Sequence, residues 1–262
     1  MVEVSSDGEV GDKARFVRGV ERALLEGEAE IGVHSAKDLP AEMPEGLAIA
    51  AVPAREDPAD VWIGAGASLD DVPEEARVGT ASLRRRAQLL AARPDLDVSE
   101  LHGNVDTRLR KLAEGDLDAI VLADAGLRRL GRGGEASFAI PAEMMIPAAG
   151  QGALVLQIRA GDDGALTAGA AIGDETALRE LTAERAAVAL LEATCATPIG
   201  VHARVEDETI VIEAFVGLPD GSEWIRDRVE GDAAEPAGVG ALLAERLLAA
   251  GARDVLDRAE AL

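Results

Sequence analysis

A lone cysteine, Cys195, stands in Leu191-Glu-Ala-Thr-Cys-Ala-Thr-Pro-Ile-Gly200, just after an apolar helical run. With no second thiol it forms no internal disulfide and makes a poor zinc site. That leaves inert packing or a nucleophile. Far upstream, His34-Ser-Ala-Lys-Asp-Leu-Pro40 brings Lys37 and Asp38 out side by side at a strand end. A lysine and a carboxylate side by side are candidates for proton transfer. Arg84, Arg85, Arg86, Arg93, Arg108, Arg110, Lys111, Arg128, Arg129 and Arg132 crowd one stretch. A planar guanidinium grips carboxylates with two parallel bonds, so this island suits an anion site.

The elements that must hold these groups follow from periodicity. Residues 13–26 read as an amphipathic helix, with Phe16, Val17, Val20, Ala23 and Leu24 on its apolar stripe. Phe16 is expected in the core or at the border of a cleft. Ile31-Gly-Val33 is a short strand feeding the Lys37–Asp38 loop, and Leu47 to Val52 is a second. Residues 54–60 read as a crossing into another domain. Beyond it strands at 77–78, 96–101 and 117–123 alternate with helices, predicting a parallel, doubly wound sheet. Ligands of such sheets sit where strand ends meet helix starts, and three of these junctions carry Arg84 and Arg85, Arg108, and Arg129. Pro147-Ala-Ala-Gly-Gln-Gly152 is the return crossing and places Gln151 at the cleft. From residue 172, a helix over 175–193, the Cys195 loop, strands at 202–205, 209–216 and 224–229, and a closing helix over 237–250 read as an α+β unit. His202 has no partner in sequence and reads as a strand or surface histidine.

Composition restricts the function classes. The 262 residues are 48% hydrophobic, enough for packed cores, but 2% aromatic, so Ala, Leu, Val and Ile must build them. The formal charge of −23 opposes nucleic acid and anionic membrane as partners. No apolar run approaches the roughly 18 residues of a membrane span. A single cysteine and no export-type leader suit a reducing cytoplasm.

Taken in order, His34-Ser-Ala-Lys-Asp-Leu-Pro, Arg55-Glu-Asp-Pro, Gly79-Thr-Ala-Ser-Leu-Arg-Arg, Gly103-Asn-Val-Asp-Thr-Arg-Leu, Ala125-Gly-Leu-Arg-Arg-Leu-Gly, Pro147-Ala-Ala-Gly-Gln-Gly-Ala-Leu, Thr182-Ala-Glu-Arg and Cys195-Ala-Thr-Pro-Ile-Gly resemble the hydroxymethylbilane synthase (porphobilinogen deaminase) family. The resemblance implies an α/β fold of two doubly wound domains similar to type-II periplasmic binding proteins, plus a C-terminal α+β domain. It divides the chain into 1–54 with 150–170, then 55–149, then 172–262. It implies a transferase that condenses four porphobilinogen molecules head to tail into hydroxymethylbilane, releasing ammonia, in haem and porphyrin biosynthesis. Dipyrromethane would be the cofactor, joined by a thioether to Cys195. Asp38 and Lys37 would be catalytic. Lys13, Ser82, Arg84, Arg85, Gly103, Arg108 and Gln151 would hold the cofactor. Arg84, Arg85, His102, Arg108, Arg129 and Phe16 would bind substrate and the growing oligopyrrole. No metal is implied, and a monomer is expected.

The chain also departs from the family. The opening strand and helix, with an Arg-x-Ser motif, have no counterpart ahead of the matched segments, so a truncated gene reading or a fragment is expected. His102 replaces the usual arginine before Gly-Asn, and a mostly neutral imidazole is a weaker carboxylate partner at pH 7. Asp12 stands in a usually glycine-rich stretch, and Ala193-Thr194 replace a usual Gly-Gly. An inactive truncated homologue and a non-catalytic small-anion binding protein are the alternative readings.

Overall fold

The computed structural model describes residues 13–194 and 197–261. In chain order the elements are α1 (Lys13–Leu25), β1 (Gly32–Ser35), β2 (Leu47–Ala51), β3 (Asp60–Gly64), β4 (Arg77–Gly79), α2 (Leu83–Ala92), β5 (Asp97–Ser99), α3 (Val105–Ala113), β6 (Ala119–Ala123), α4 (Asp124–Arg129) and β7 (Phe138–Ile140). There follow β8 (Leu154–Arg159), α5 (Asp163–Ala170), α6 (Glu175–Leu190), β9 (Ile199–Glu206), β10 (Thr209–Gly217), β11 (Trp224–Asp232), α7 (Pro236–Ala249) and α8 (Ala252–Glu260).

Short polar residues start the helices that matter most here. Ser82 accepts from the Arg85 amide, Asn104 from Thr107 at 2.9 Å, and Asp174 from Ala177 at 2.8 Å. Each satisfies an amide that the helix leaves unpaired, worth about 1 kcal/mol. Pro236 opens α7, where its missing N–H costs nothing.

Three sheets form. The first runs β1-β8-β2, with β8 antiparallel to both neighbours. The second has the order β5-β4-β6-β3-β7. Its β5, β4 and β6 are parallel, as the strand–helix alternation predicts, but β3 and β7 make the sheet mixed. Both were invisible to periodicity because β3 is a short, almost wholly buried run and β7 spans only three residues. Their pairing is fixed by long-range packing: Trp62 of β3 stacks on Phe138 of β7 with ring centroids 5.9 Å apart.

The third sheet is the antiparallel meander β11-β10-β9, packed on α6, α7 and α8. Its core is alanine, valine, leucine and isoleucine, as a chain poor in aromatics requires. Small side chains let the elements approach closely: a Cβ on Gly240 of α7 would lie 2.1 Å from the Ala183 carbonyl of α6. Two helices escaped sequence reading. α5 precedes the start expected near 172, and α8 follows Gly251, whose left-handed φ of 100° ends α7 and turns the chain into another helix.

Phe16 is not core. It is 47% exposed, while Val17, Ala23 and Leu24 carry the buried stripe of α1. The helical spacing was right, but Phe16 sits at the edge of that stripe.

Candidate active site

β1 delivers the Lys37–Asp38 pair through a single 3-10 turn over Ala36–Asp38. Three contacts fix this turn. The Ala36 amide donates to the Ala153 carbonyl at 3.0 Å, and Leu39 is buried beyond it. Gly150, with a left-handed φ of 73°, presses in so closely that a Cβ there would lie 2.7–2.8 Å from Ala36 and the Lys37 amide. Any other residue would push the Lys37–Asp38 turn away. Behind it, buried His34 shares a 2.9 Å hydrogen bond with Gln157, and burial pushes its imidazole pKa down, keeping it neutral.

Lys37 Nζ donates to Gln151 Oε1 at 3.3 Å. Gln151, almost fully buried, donates from Nε2 to the Pro58 carbonyl at 2.7 Å and to Asp60 Oδ1 at 3.0 Å. Asp60 is 0% exposed and takes both arginines of α2. Arg84 Nη1 donates to its Oδ2 at 2.7 Å, and Arg85 Nε to its Oδ1 at 2.9 Å. Arg84 also holds the Ile146 carbonyl, and Arg85 the Val121 carbonyl. The two guanidiniums hold the Asp60 carboxyl far below the usual range, against the opposing effect of burial. One carboxylate thus faces two cations, and a net positive charge remains.

That surplus continues along the sequence-predicted set. Arg108, half-buried on α3, donates from Nε to the Gly103 carbonyl at 2.8 Å, so Gly103 aims the arginine that follows it by five residues. Burial pushes the Arg108 pKa down, and no carboxylate opposes that effect. Arg129 donates from Nη2 to the Gly152 carbonyl at 2.7 Å and pairs with no carboxylate among the described residues. Its placement differs from expectation. α4 begins at Asp124 directly after β6, with no loop between, so Arg129 closes the helix and gains nothing from a helix N-terminus. Arg86 has a buried Nε with no hydrogen-bond partner.

A second buried carboxylate, Glu184 of α6, ties the crossings to the C-terminal unit. Arg55 reaches it with Nη1 at 2.8 Å and Nη2 at 3.2 Å. The amides of Gly150 and Ala203 donate to it at 2.6 and 2.8 Å. His202 Nδ1 lies 3.2 Å from Glu184, so this histidine has the partner that sequence failed to supply. Burial raises the Glu184 pKa, but Arg55 and His202 outweigh it and hold the value down at about 2.

Ser82 caps α2 beside Arg85. His102 points outward, its Nε2 3.0 Å from Glu100, with both side chains exposed. Phe16 is exposed on α1, as is Leu25 at the helix end. Cys195, Asp12 and the Lys13 side chain lie outside the described residues. Sequence reading missed the roles of Asp60 and Glu184. Asp60 ends the Arg55-Glu-Asp-Pro-Ala-Asp crossing, which reads as linker, while Glu184 lies inside the Thr182-Ala-Glu-Arg segment. An acid within a segment otherwise chosen for arginines was the available signal.

The donor set suits a ligand bearing several carboxylates: cations in excess, half or fully buried, steered by backbone carbonyls. Among the described residues no group of His, Cys, Asp and Glu could hold a metal ion, and no helix is long and apolar enough to cross a membrane.

The profile described as porphobilinogen deaminase, dipyromethane cofactor binding domain, matches residues 4–167, and that of the porphobilinogen deaminase C-terminal domain matches 178–249. Porphobilinogen deaminase of Thiobacillus denitrificans is 47% identical over 249 residues, 95% of this chain and 81% of that protein. That of Brevibacillus brevis is 45% identical, over 94% of this chain and 80% of that protein. A solved TRAP periplasmic solute binding protein from Desulfovibrio salexigens is 12% identical with a TM-score of 0.37, covering 61% of this chain and 59% of that one. A likeness that low carries no argument about the fold.

Proposed function

The chain belongs to the porphobilinogen deaminase family, and from that premise we propose which of its residues perform the deaminating condensation. The reaction is a transfer that joins four porphobilinogen units head to tail into hydroxymethylbilane and releases ammonia. Cys195 would hold dipyrromethane as a thioether, and the group would supply an open pyrrole position for chain growth.

Asp38 is the catalytic carboxylate. When the aminomethyl C–N bond of a substrate unit breaks, the bonding pair leaves with nitrogen as ammonia and a positive charge remains on the pyrrole. Asp38, at the end of a rigid turn, accepts the pyrrole N–H and counters that charge as it develops. Lys37 adds a cation beside it, oriented by Gln151. Arg84, Arg85 and Arg108, with Ser82, Gly103, Gln151 and Lys13, hold the cofactor's acetate and propionate groups. Arg129, His102 and Phe16, together with the same arginines, receive incoming units.

One observation supports this reading above the others. Lys37, Gln151, Asp60 and the Arg84–Arg85 pair form an unbroken hydrogen-bonded chain. It joins the turn able to stabilise a cation to the arginines able to bind anions. A simple anion-binding protein needs only the second half.

The three sheets suggest a division into 1–54 with 150–170, then 55–149, then 172–262, with Ala177 and Leu181 of α6 packing into the core of the first sheet. The acidic charge opposes nucleic acid and anionic membrane as partners, the single cysteine suits a reducing cytoplasm, and the family reading suits a monomer. The decisive experiment is the intact mass of natively purified protein beside its Cys195→Ser variant. A cysteine-dependent adduct of dipyrromethane size, coloured by Ehrlich's reagent, is expected. A bare polypeptide mass in both overturns the proposal.

A further inference from the structure

Arg185 of α6 carries a guanidinium that nothing among the described residues neutralises. Its Nη2 donates to the Ala41 carbonyl at 2.7 Å, and the side chain is half-buried. Burial pushes its pKa down and no carboxylate opposes that effect. Arg108 behaves in the same way: one guanidinium, one backbone carbonyl, no acid.

The helix explains why no acid is near. Residues three and four positions away are Leu181, Thr182, Val188 and Ala189, whereas Arg179 on the same helix meets Glu175. The adjacent Glu184 is committed to Arg55 and the Gly150 and Ala203 amides. Acidic residues number 49 against 26 basic ones, so most arginines meet an acid. A half-buried cation without one keeps donors that an outside anion can take. Location narrows that anion. Ala41 lies three residues beyond Asp38, and α6 leads on to the segment bearing Cys195.

Resting on the porphobilinogen deaminase reading, we propose that Arg185 binds a carboxylate of the substrate-derived pyrrole chain from the C-terminal side of the site. It lies outside the arginine island at 84–132 and extends the anion site onto a second unit of the fold.

Two variants of the cofactor-loaded protein test this. Arg185→Gln keeps a donor for the Ala41 carbonyl and removes the charge; Arg185→Lys keeps the charge. Arg185→Gln should raise KM for porphobilinogen about tenfold, as loss of one charge-assisted hydrogen bond implies, with kcat little changed. Mass spectra during turnover should show bound chains accumulating at one length, and Arg185→Lys should restore most of the parent behaviour. A KM within about twofold of the parent's for Arg185→Gln, with the same spread of chain lengths, overturns the inference. So does a fall in kcat at constant KM in both variants, which marks a contact that only positions the Ala41 segment. Should Arg185→Gln fail to fold, phenylglyoxal labelling of the parent decides. Protection of Arg185 by porphobilinogen supports the inference, and equal labelling with and without it overturns it. Adduct mass and turnover of the parent test the family reading separately, and both can stand while Arg185 proves indifferent.

Discussion

Gln151 Nε2 lies 3.0 Å from Asp60 Oδ1, and through that bond the turn carrying Lys37 is joined to the helix carrying Arg84 and Arg85. A glutamine from the return crossing and an aspartate from the outward crossing meet where the chain passes twice between lobes. The Lys37–Asp38 turn and the Arg84–Arg85 pair are therefore joined by one buried polar network. Such a network is strong when every member is satisfied and costly when one is lost.

Asp60→Asn tests the network. The amide keeps the shape but leaves two buried guanidiniums without a counter-ion, which should cost about 3–5 kcal/mol of stability. Denaturant unfolding measures this, and intact mass should show reduced cofactor loading. A variant as stable as the parent would remove Asp60 from its place at the centre.

Arg55 and Glu184 form the second buried pair. Arg55→Met or Glu184→Gln should each destabilise by several kcal/mol, and the double variant should be less impaired than the sum, because the partner's uncompensated charge is lost with it. A double-mutant cycle that adds without a remainder would show that the pair is not coupled.

Acid should weaken the fold over two pH ranges. His34 is held neutral by burial, so its folded pKa lies below the unfolded value near 6.5 and its contribution is lost as pH falls below that. Glu184, held down at about 2, contributes fully above the unfolded value near 4.5 and loses that contribution as pH falls through about 2. Asp60 acts in the same direction. Neutralising other acids also relieves the −23 charge, so the comparison must be between variants. Relative to the parent, His34→Gln should flatten the thermal midpoint between pH 7.5 and 5.5, and Glu184→Gln between 4.5 and 3.

Asp38→Ala should lower turnover by at least about a hundredfold while leaving the thermal midpoint within a few degrees, the size expected for removing one charge-stabilising group. Substantial residual turnover would remove Asp38 from the catalytic role.

His102→Arg should lower KM for porphobilinogen by supplying a permanent cation. Because His102 stands 3.0 Å from Glu100, the gain should be larger when Glu100→Gln removes the competing carboxylate. A KM unchanged in both backgrounds would show that this exposed position does not touch substrate.

Periodicity and short-range chemistry determined a good deal. The helical stripe of α1, the capped starts of α2 and α3, the parallel strands β4, β5 and β6 and the C-terminal meander all follow from neighbours a few residues apart. So did the family, since motifs in order are a property of the chain alone. Phe16 and Arg129 show the limit, each on the expected helix but at a different edge or end. Tertiary structure alone decided that Asp60 would hold Arg84 and Arg85, that Glu184 would gather Arg55 and His202, and that β3 and β7 would run against their neighbours. Arg55 and Glu184 are 129 residues apart, and Gln151 and Asp60 are 91. Nothing in local spacing announces such pairs: a charge leaves water only where the folded chain has already brought its opposite to meet it.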